Sequence, residues 1–152
     1  MTEIVVIAHN IRSSHNIGSI FRTAEGFGVQ KIILSGHSPY PNLQLCHQAD
    51  DRLPHIQRKL TDQIHKTALG AEEIVPFEYR LDPPLDAYKS DGYRVVALEQ
   101  DPRSIDLRHY TVPSKIVLLL GEEVNGISPQ LLEQCDDIIE ISMKGQKESF
   151  NV

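Results

Sequence analysis

Short runs of apolar and β-branched residues recur along this chain and alternate with segments of helical character. The runs lie within residues 4–8, 30–35, 94–99, 115–120 and 138–141. Near-continuous apolar sequence over so few residues is typical of strands that are buried on both faces of a sheet. Strands that alternate with helices form parallel sheets covered by helices on both faces. The sequence therefore predicts an α/β fold with a mostly parallel sheet, in which the first crossover is right-handed.

The segment between the first two strands has the pattern of an amphipathic helix. Its apolar residues at positions 17, 20, 21, 24 and 27 recur at the spacing of one helix face. We expect this helix to begin at Asn16, a favoured N-cap, and to end at Gly28, where a positive φ is tolerated. Arg22 lies outside the apolar stripe. Taken alone, it is either a solvated surface residue or a ligand for an anion or polar substrate.

The remaining elements are predicted from weaker patterns. We expect a long polar loop over residues 36–51, helices over 53–69 and 81–90, a short strand over 72–75, a connection over 104–109 and a helix from Ser128 to about Cys135. No internal repeat or linker is visible, so one domain over residues 1–152 is the economical interpretation.

Charge and composition limit the choice of partner. The formal net charge of −6 does not indicate a nucleic-acid binder, because phosphate neutralisation normally requires a basic face. A local basic surface remains open, and its candidate residues are Arg12, Arg22, Arg52, Arg58, Lys59, Lys66, Lys144 and Lys147.

Membrane segments and metal sites are not expected. No apolar run approaches the roughly 20 residues that span a bilayer, and no secretory signal precedes the first strand, so we expect a cytoplasmic protein. Cys46 and Cys135 lack CxxC spacing, and the seven histidines include no HExxH pair. The sequence thus predicts neither a disulfide nor a metal ligand.

Ligands of open α/β sheets bind beyond the carboxyl ends of the strands. Three strand ends carry suitable residues: those after Leu98, after Leu120 and after Ile141. Glycines at positions 121, 126 and 145 permit close backbone approach to a ligand, although three tight turns would explain them equally well.

In order, these segments resemble a known family. The motifs NxGxxxR at residues 16–22, LLLGEExxGIS at 118–128 and ISMxGxxxSFNV at 141–152 are similar to the three motifs of the SpoU/TrmH RNA 2′-O-ribose methyltransferases of the SPOUT superfamily. The resemblance implies a C-terminal deep trefoil knot, bound S-adenosylmethionine, an RNA substrate and a homodimer with the active site at the subunit interface. The absence of an extra domain favours tRNA slightly over rRNA.

The resemblance also implies roles for individual residues. The cofactor pocket would be lined by Leu98, Gly121, Ile141 and Phe150, with Met143 and Gly145 nearby. Arg22 would be the catalytic arginine, Asn16 and Glu123 the polar groups that fix it, and Ser149 with Asn151 the polar pair of the third motif. Because a guanidinium keeps its proton above about pH 12, we expect Arg22 to anchor the RNA phosphate and orient the hydroxyl, and the proton acceptor stays open.

Two features depart from the family pattern. Phe150 stands where leucine is usual, and the chain stops at Val152, where relatives continue into a helix that packs on the knot and contributes to the dimer. The expected domain therefore lacks that helix. The alternatives are a non-catalytic knotted dimer that binds RNA or cofactor, and an unrelated small-molecule methyltransferase or nucleotide-binding protein.

Overall fold

A computed structural model describes residues 1–147 and 150–152 and contains one parallel seven-stranded sheet. The strands are β1 (Glu3–His9), β2 (Lys31–Ser35), β3 (Phe77–Arg80), β4 (Arg94–Leu98), β5 (Ile105–Asp106), β6 (Lys115–Leu120) and β7 (Asp137–Glu140). Their order across the sheet is β3-β2-β1-β6-β4-β7-β5, and every pairing is parallel. The predicted α/β class with a parallel sheet is confirmed, as are five of the six predicted strands.

Helices cover both faces of this sheet. They are α1 (Ser14–Gly26), α2 (Pro54–Ala68), α3 (Ala71–Ile74), α4 (Leu85–Ser90) and α5 (Pro129–Gln134), with short 3-10 helices at Leu43–Cys46 and Leu107–His109. Alternate residues of β1 separate two cores: Val6 and Ala8 pack with α1, α2 and α3, whereas Val5 and Ile7 pack on the side of α4 and α5. This alternation is the period of two expected of a strand buried on both faces. No helix in the described part of the chain is long and apolar enough to cross a membrane.

One local prediction is wrong, and one neighbouring strand is not predicted from the sequence. The segment 72–75 is not a strand, because Ala71–Ile74 forms the helical turn α3 and the buried Glu72 carboxylate accepts a hydrogen bond from the Gly70 N–H and contacts His65. The strand next to it, β3, has the sequence FEYR and only its first residue is buried, so it shows no apolar run. Edge strands of this kind carry little periodic signal.

The start of α1 also differs from expectation. Ser13, not Asn16, is the N-cap, and its hydroxyl accepts a hydrogen bond from the Asn16 N–H. Both residue types suit an N-cap, and the earlier serine takes the role. The Asn16 side chain is therefore free of the capping function and can bond elsewhere. Gly28 has a φ of +66°, as predicted for the residue after the helix.

The long loop over residues 36–51 is ordered by a buried ion pair. The Arg52 guanidinium donates to Asp50 at 2.8 Å and 2.5 Å and to the carbonyls of Tyr40 and Pro41, and it stacks on the Tyr40 ring at 3.8 Å. The Asp50 side chain is only 1% exposed. Hydrogen bonds from Arg52, joined by the Leu43 N–H, outweigh burial and lower the pKa of Asp50 from 3.8 to about 2.

Replacing Asp50 by asparagine is expected to lower the free energy of unfolding by about 2 kcal/mol at pH 7. Because the folded-state pKa lies below the unfolded-state value, this stabilisation is fully present above about pH 4 and is lost as the pH falls towards 2. Urea unfolding at several pH values measures it. Asp51→Asn, at the exposed neighbour, is the matched control and should change stability by less than about 0.5 kcal/mol. Equal losses of unfolding free energy in the two variants would show that the Arg52–Asp50 ion pair does not stabilise the fold.

Candidate active site at the carboxyl edge of the sheet

A cleft of about 640 Å³ opens at the carboxyl ends of β4, β6 and β7 and continues along one side of α1. Its volume lies within the usual range for small-molecule sites, about 300–1,000 Å³. Apolar side chains form much of its wall, among them Ile20, Ala24, Phe27, Leu98, Leu118 and Ile141. The strand order places β4 between β6 and β7, so the three loops that follow these strands are neighbours at this edge.

The polar part of the wall is acidic. Four carboxylates line the cleft, from Glu99, Glu122, Glu123 and Glu140. The described residues of the wall include no lysine, arginine or histidine, and Glu122 alone is paired with an arginine, Arg12, which lies outside the wall. A cleft with this charge favours a ligand that carries positive charge.

The loop after β6 forms one wall through a tight backbone approach. A Cβ at Gly121 would lie 2.8 Å from the Ile127 N and 2.7 Å from the Gly126 C, so no larger residue fits without moving the chain. Gly126 has a φ of +67°, and its N–H donates to the Glu122 carbonyl at 2.9 Å. Two of the three glycines chosen from the sequence therefore have a structural requirement in this loop.

Two polar contacts join the start of α1 to the loop after β6. The Asn16 side-chain amide donates to Glu123 at 2.9 Å, and Arg12 forms an ion pair with Glu122 at 3.3 Å. Burial opposes ionisation of Glu123, but hydrogen bonds from Asn16 and from the backbone N–H groups of Arg12 and Ser13 outweigh it and lower the pKa of Glu123. Glu123 is thus an acceptor in its ionised form at neutral pH.

Arg22 is separate from this pair. It lies six residues after Asn16, about 9 Å along the helix axis and about 240° around it. Its guanidinium forms an ion pair with Glu25 at 3.6 Å, and its side chain is 58% exposed. In this structure Asn16 bonds Glu123, and the described partner of Arg22 is Glu25. That Asn16 and Glu123 fix Arg22 stays a prediction.

The predicted cofactor residues divide into two groups. Leu98, Gly121, Ile141 and Phe150 all belong to the wall of the cleft. Met143 and Gly145 lie in the loop after β7 but outside that wall.

The third motif reaches α1 through its last residues. Asn151 lines the cleft and lies 3.4 Å from Asn16 Oδ1, to which its side-chain amide donates. Ser149, the other half of the predicted polar pair, lies outside the described residues.

Two further predictions concern cations and metals. Arg52 does not belong to a basic surface, because its guanidinium is turned inward onto Asp50. Arg58, Lys59 and Lys66 lie on the exposed side of α2. Within residues 1–147 and 150–152, no three His, Cys, Asp or Glu side chains are grouped as a metal site would need.

Sequence reasoning did not select Glu99, although it follows the strand end at Leu98. Its carboxylate accepts hydrogen bonds from the N–H groups of Gln100 and Ile127, each at 2.9 Å. The only available signal was position, directly after a buried strand. Its long-range partner could not be identified from spacing alone.

A parallel sheet with helices on both faces and a cleft beyond the carboxyl ends of three adjacent strands defines an open α/β fold, of the class in which ligands bind at this edge of the sheet. Comparison with known proteins defines it further. The chain belongs to the SpoU rRNA Methylase family, whose model matches residues 3–59 and 46–152. The resemblance inferred from the three motifs is therefore confirmed.

Two named relatives are similar over all or nearly all of the chain. It is 28% identical over 152 residues to a tRNA (guanosine(18)-2′-O)-methyltransferase of Mus musculus, covering 100% of this chain and 9% of that protein. It is 26% identical over 150 residues to the tRNA (guanosine(18)-2′-O)-methyltransferase of Aquifex aeolicus, covering 99% of this chain and 63% of that protein. The chain thus spans less than two thirds of either relative.

Solved structures share the fold. The TrmH/SpoU tRNA modifying enzyme of A. aeolicus matches with a TM-score of 0.76 and 25% identity, over 100% of this chain and 68% of that one. An AdoMet-bound rRNA methyltransferase of Sinorhizobium meliloti also matches with a TM-score of 0.76, at 22% identity, over 98% of this chain and 51% of that one. The second likeness concerns the fold alone.

Proposed function

We propose that residues 1–152 form one catalytic domain that transfers a methyl group from S-adenosylmethionine to a ribose 2′-hydroxyl of RNA, with tRNA favoured over rRNA. Family membership supports the reaction, and the names of the mouse and A. aeolicus relatives support tRNA. The observation that carries the proposal is the acidic cleft alongside α1, because Glu123 in its wall accepts a hydrogen bond from Asn16 of the first motif.

The cleft suits this cofactor in size and in charge. Leu98, Leu118 and Ile141 offer apolar surface for an adenine ring, and the glycine at position 121 keeps the loop after β6 close to the strand ends. S-adenosylmethionine carries a sulfonium and an ammonium group, which the carboxylates of the wall would favour, since within the described residues only Glu122 among them is paired with an arginine. When bound, it supplies an electrophilic methyl group that the ribose oxygen attacks in line, leaving a neutral thioether.

Arg22 is proposed to act on the RNA. Its exposed ion pair with Glu25 contributes little stability, so the guanidinium can exchange that partner for a phosphate at low cost. Anchored to the phosphate, it would hold the adjacent ribose 2′-hydroxyl in line with the methyl group. The proton acceptor is left open.

We further propose a homodimer in which the site of one copy is completed by its partner. Arg22 does not line the cleft of its own chain, and large apolar residues lie exposed at the rim, with Phe27 81% and Val124 87% accessible. A second copy would bury this apolar surface and could bring an Arg22 to the cleft. A trefoil knot formed by the C-terminal segment and a cytoplasmic location remain parts of the same proposal.

The proposal is tested by titration calorimetry with S-adenosylmethionine, followed by transfer of a labelled methyl group to a tRNA transcript and to an rRNA fragment. We expect binding, transfer to tRNA and resistance of the product linkage to alkaline cleavage at one nucleotide. Binding without transfer to any RNA would support the non-catalytic alternative. Failure to bind the cofactor would overturn the enzymatic proposal.

A further inference from the structure

The Glu99 carboxylate lies in the wall of the cleft, directly after β4. Its Oε2 accepts a hydrogen bond from the Ile127 N–H at 2.9 Å, and its Oε1 accepts one from the Gln100 N–H at 2.9 Å. The Glu99 N–H donates to the Ile139 carbonyl at 3.0 Å. One residue after β4 is thereby bonded both to the loop after β6 and to β7.

The loop after β6 is shaped around this carboxylate. A Cβ at Gly126 would lie 2.2 Å from Glu99 Oε2, and Gly126 has a φ of +67°, so a larger residue there would displace the carboxylate and strain the backbone. The Gly126–Ile127 backbone is held between Glu99 on one side and Gly121 on the other, where an added Cβ would lie 2.8 Å from the Ile127 N. Ile127 itself is buried in the core under β6.

We propose that Glu99 is a positioning residue that holds the Gly121–Ile127 wall in the geometry that binds S-adenosylmethionine. This inference rests on the proposed function and adds a residue from outside the three motifs. Glu99 lies half-buried in the wall of the cleft, so its hydrogen bonds are partly shielded from water. Its Oε1 and Oε2 each accept a hydrogen bond from a backbone N–H, so both atoms must be acceptors.

The variant Glu99→Gln tests whether the hydrogen bonds of Glu99, and not only its packing, support cofactor binding. Glutamine keeps the shape of the side chain but has one acceptor oxygen and an NH₂ group, which cannot accept from a backbone N–H. We expect the dissociation constant for S-adenosylmethionine to rise about ten- to a hundredfold, because hydrogen bonds to a charged group are lost. At saturating cofactor, kcat should stay within about threefold of wild type, so the loss appears in KM.

A second readout tests the bond without cofactor. Hydrogen exchange at the Ile127 amide, followed by NMR in the cofactor-free protein, should be faster in Glu99→Gln than in wild type. Glu99→Asp keeps both oxygens on a shorter side chain and should recover part of the cofactor affinity. Glu133→Gln, which removes the same charge from the exposed surface of α5, should leave affinity and exchange unchanged.

The outcomes distinguish this inference from the proposed function. Binding of S-adenosylmethionine by wild type tests the proposed function. If wild type binds and Glu99→Gln binds equally well, the positioning role is overturned while the proposed function stands. Faster exchange at Ile127 with unchanged affinity would also overturn it, because the bond would then serve the fold alone.

Discussion

Replacing Arg22 by alanine is expected to lower the rate of methyl transfer at saturating cofactor and RNA by about a hundred- to a thousandfold. The guanidinium is the charged group of the first motif that is exposed enough to reach a phosphate, and its present partner Glu25 holds it weakly. Cofactor affinity should be unchanged, because Arg22 is not part of the wall of the cleft. Single-turnover kinetics and calorimetry measure the two quantities.

Two comparisons sharpen this prediction. Arg22→Lys keeps the charge but loses the two-pronged geometry of the guanidinium, so we expect a rate between those of wild type and Arg22→Ala. Glu25→Gln removes only the present partner and should change the rate by less than about threefold. Near-normal turnover in Arg22→Ala would remove this residue from catalysis.

A mixing experiment tests which copy Arg22 serves. A cofactor-site variant such as Gly121→Val should be inactive, since an added Cβ already meets the Gly126–Ile127 backbone. If Arg22 acts on the partner's cleft, mixed dimers of this variant with Arg22→Ala contain one intact site. Statistical exchange would then recover about a quarter of wild-type activity. No recovery, with mixed dimers shown to form, would mean that Arg22 acts within its own chain.

Replacing Gly18 by alanine is expected to lower the free energy of unfolding by about 3 kcal/mol. Gly18 is buried where α1 crosses α2, and an added Cβ would lie 2.0 Å from Thr67 Oγ1 and 2.3 Å from the Ile64 carbonyl oxygen. The second contact is with backbone, so the two helices would have to move apart. Because α1 carries Asn16 and Arg22, activity should fall along with stability.

Gly26→Ala is the matched control in the same helix. Gly26 is the last residue of α1, and its added Cβ would meet nothing within 4 Å. Alanine has the higher helix propensity, so this variant should be more stable than wild type by about 0.5–1 kcal/mol. Chemical denaturation of both variants measures the two effects. An unchanged free energy of unfolding in Gly18→Ala would contradict the close contact between α1 and α2.

The apolar periodicity of the sequence predicted the central strands of the sheet better than its edge strands. β1, β4 and β6 are buried on both faces, so each appears in the sequence as a continuous apolar run. β3 and β5 lie at the two edges of the sheet and carry polar residues, which left them without such a run. The helical turn α3 was mistaken for a strand because its ordering group, the buried Glu72, acts through contacts with His65 and Gly70 that no periodicity reveals.

For the candidate site, too, the sequence predicted some features and not others. The order of the three motifs identified the family and selected Leu98, Gly121, Ile141 and Glu123, which all line one cleft. It did not predict that Asn16 bonds Glu123 while Arg22 pairs with Glu25, because side-chain partners depend on how α1 is rotated against the loop after β6. Nor did it indicate Glu99, whose partner Ile127 is 28 residues away.

By itself, the sequence determined the fold class, the family and the strand ends at which a ligand would bind, since these follow from apolar periodicity and from short motifs in a fixed order. The tertiary structure alone decided which groups share a cleft and what charge that cleft has. It also decided that the Glu99 carboxylate bonds the loop after β6. The physical reason is the distance along the sequence between the residues that interact. Helix and strand patterns come from neighbours within a few residues, whereas hydrogen bonds and charge balance in the site join segments more than a hundred residues apart, as with Asn16 and Glu123.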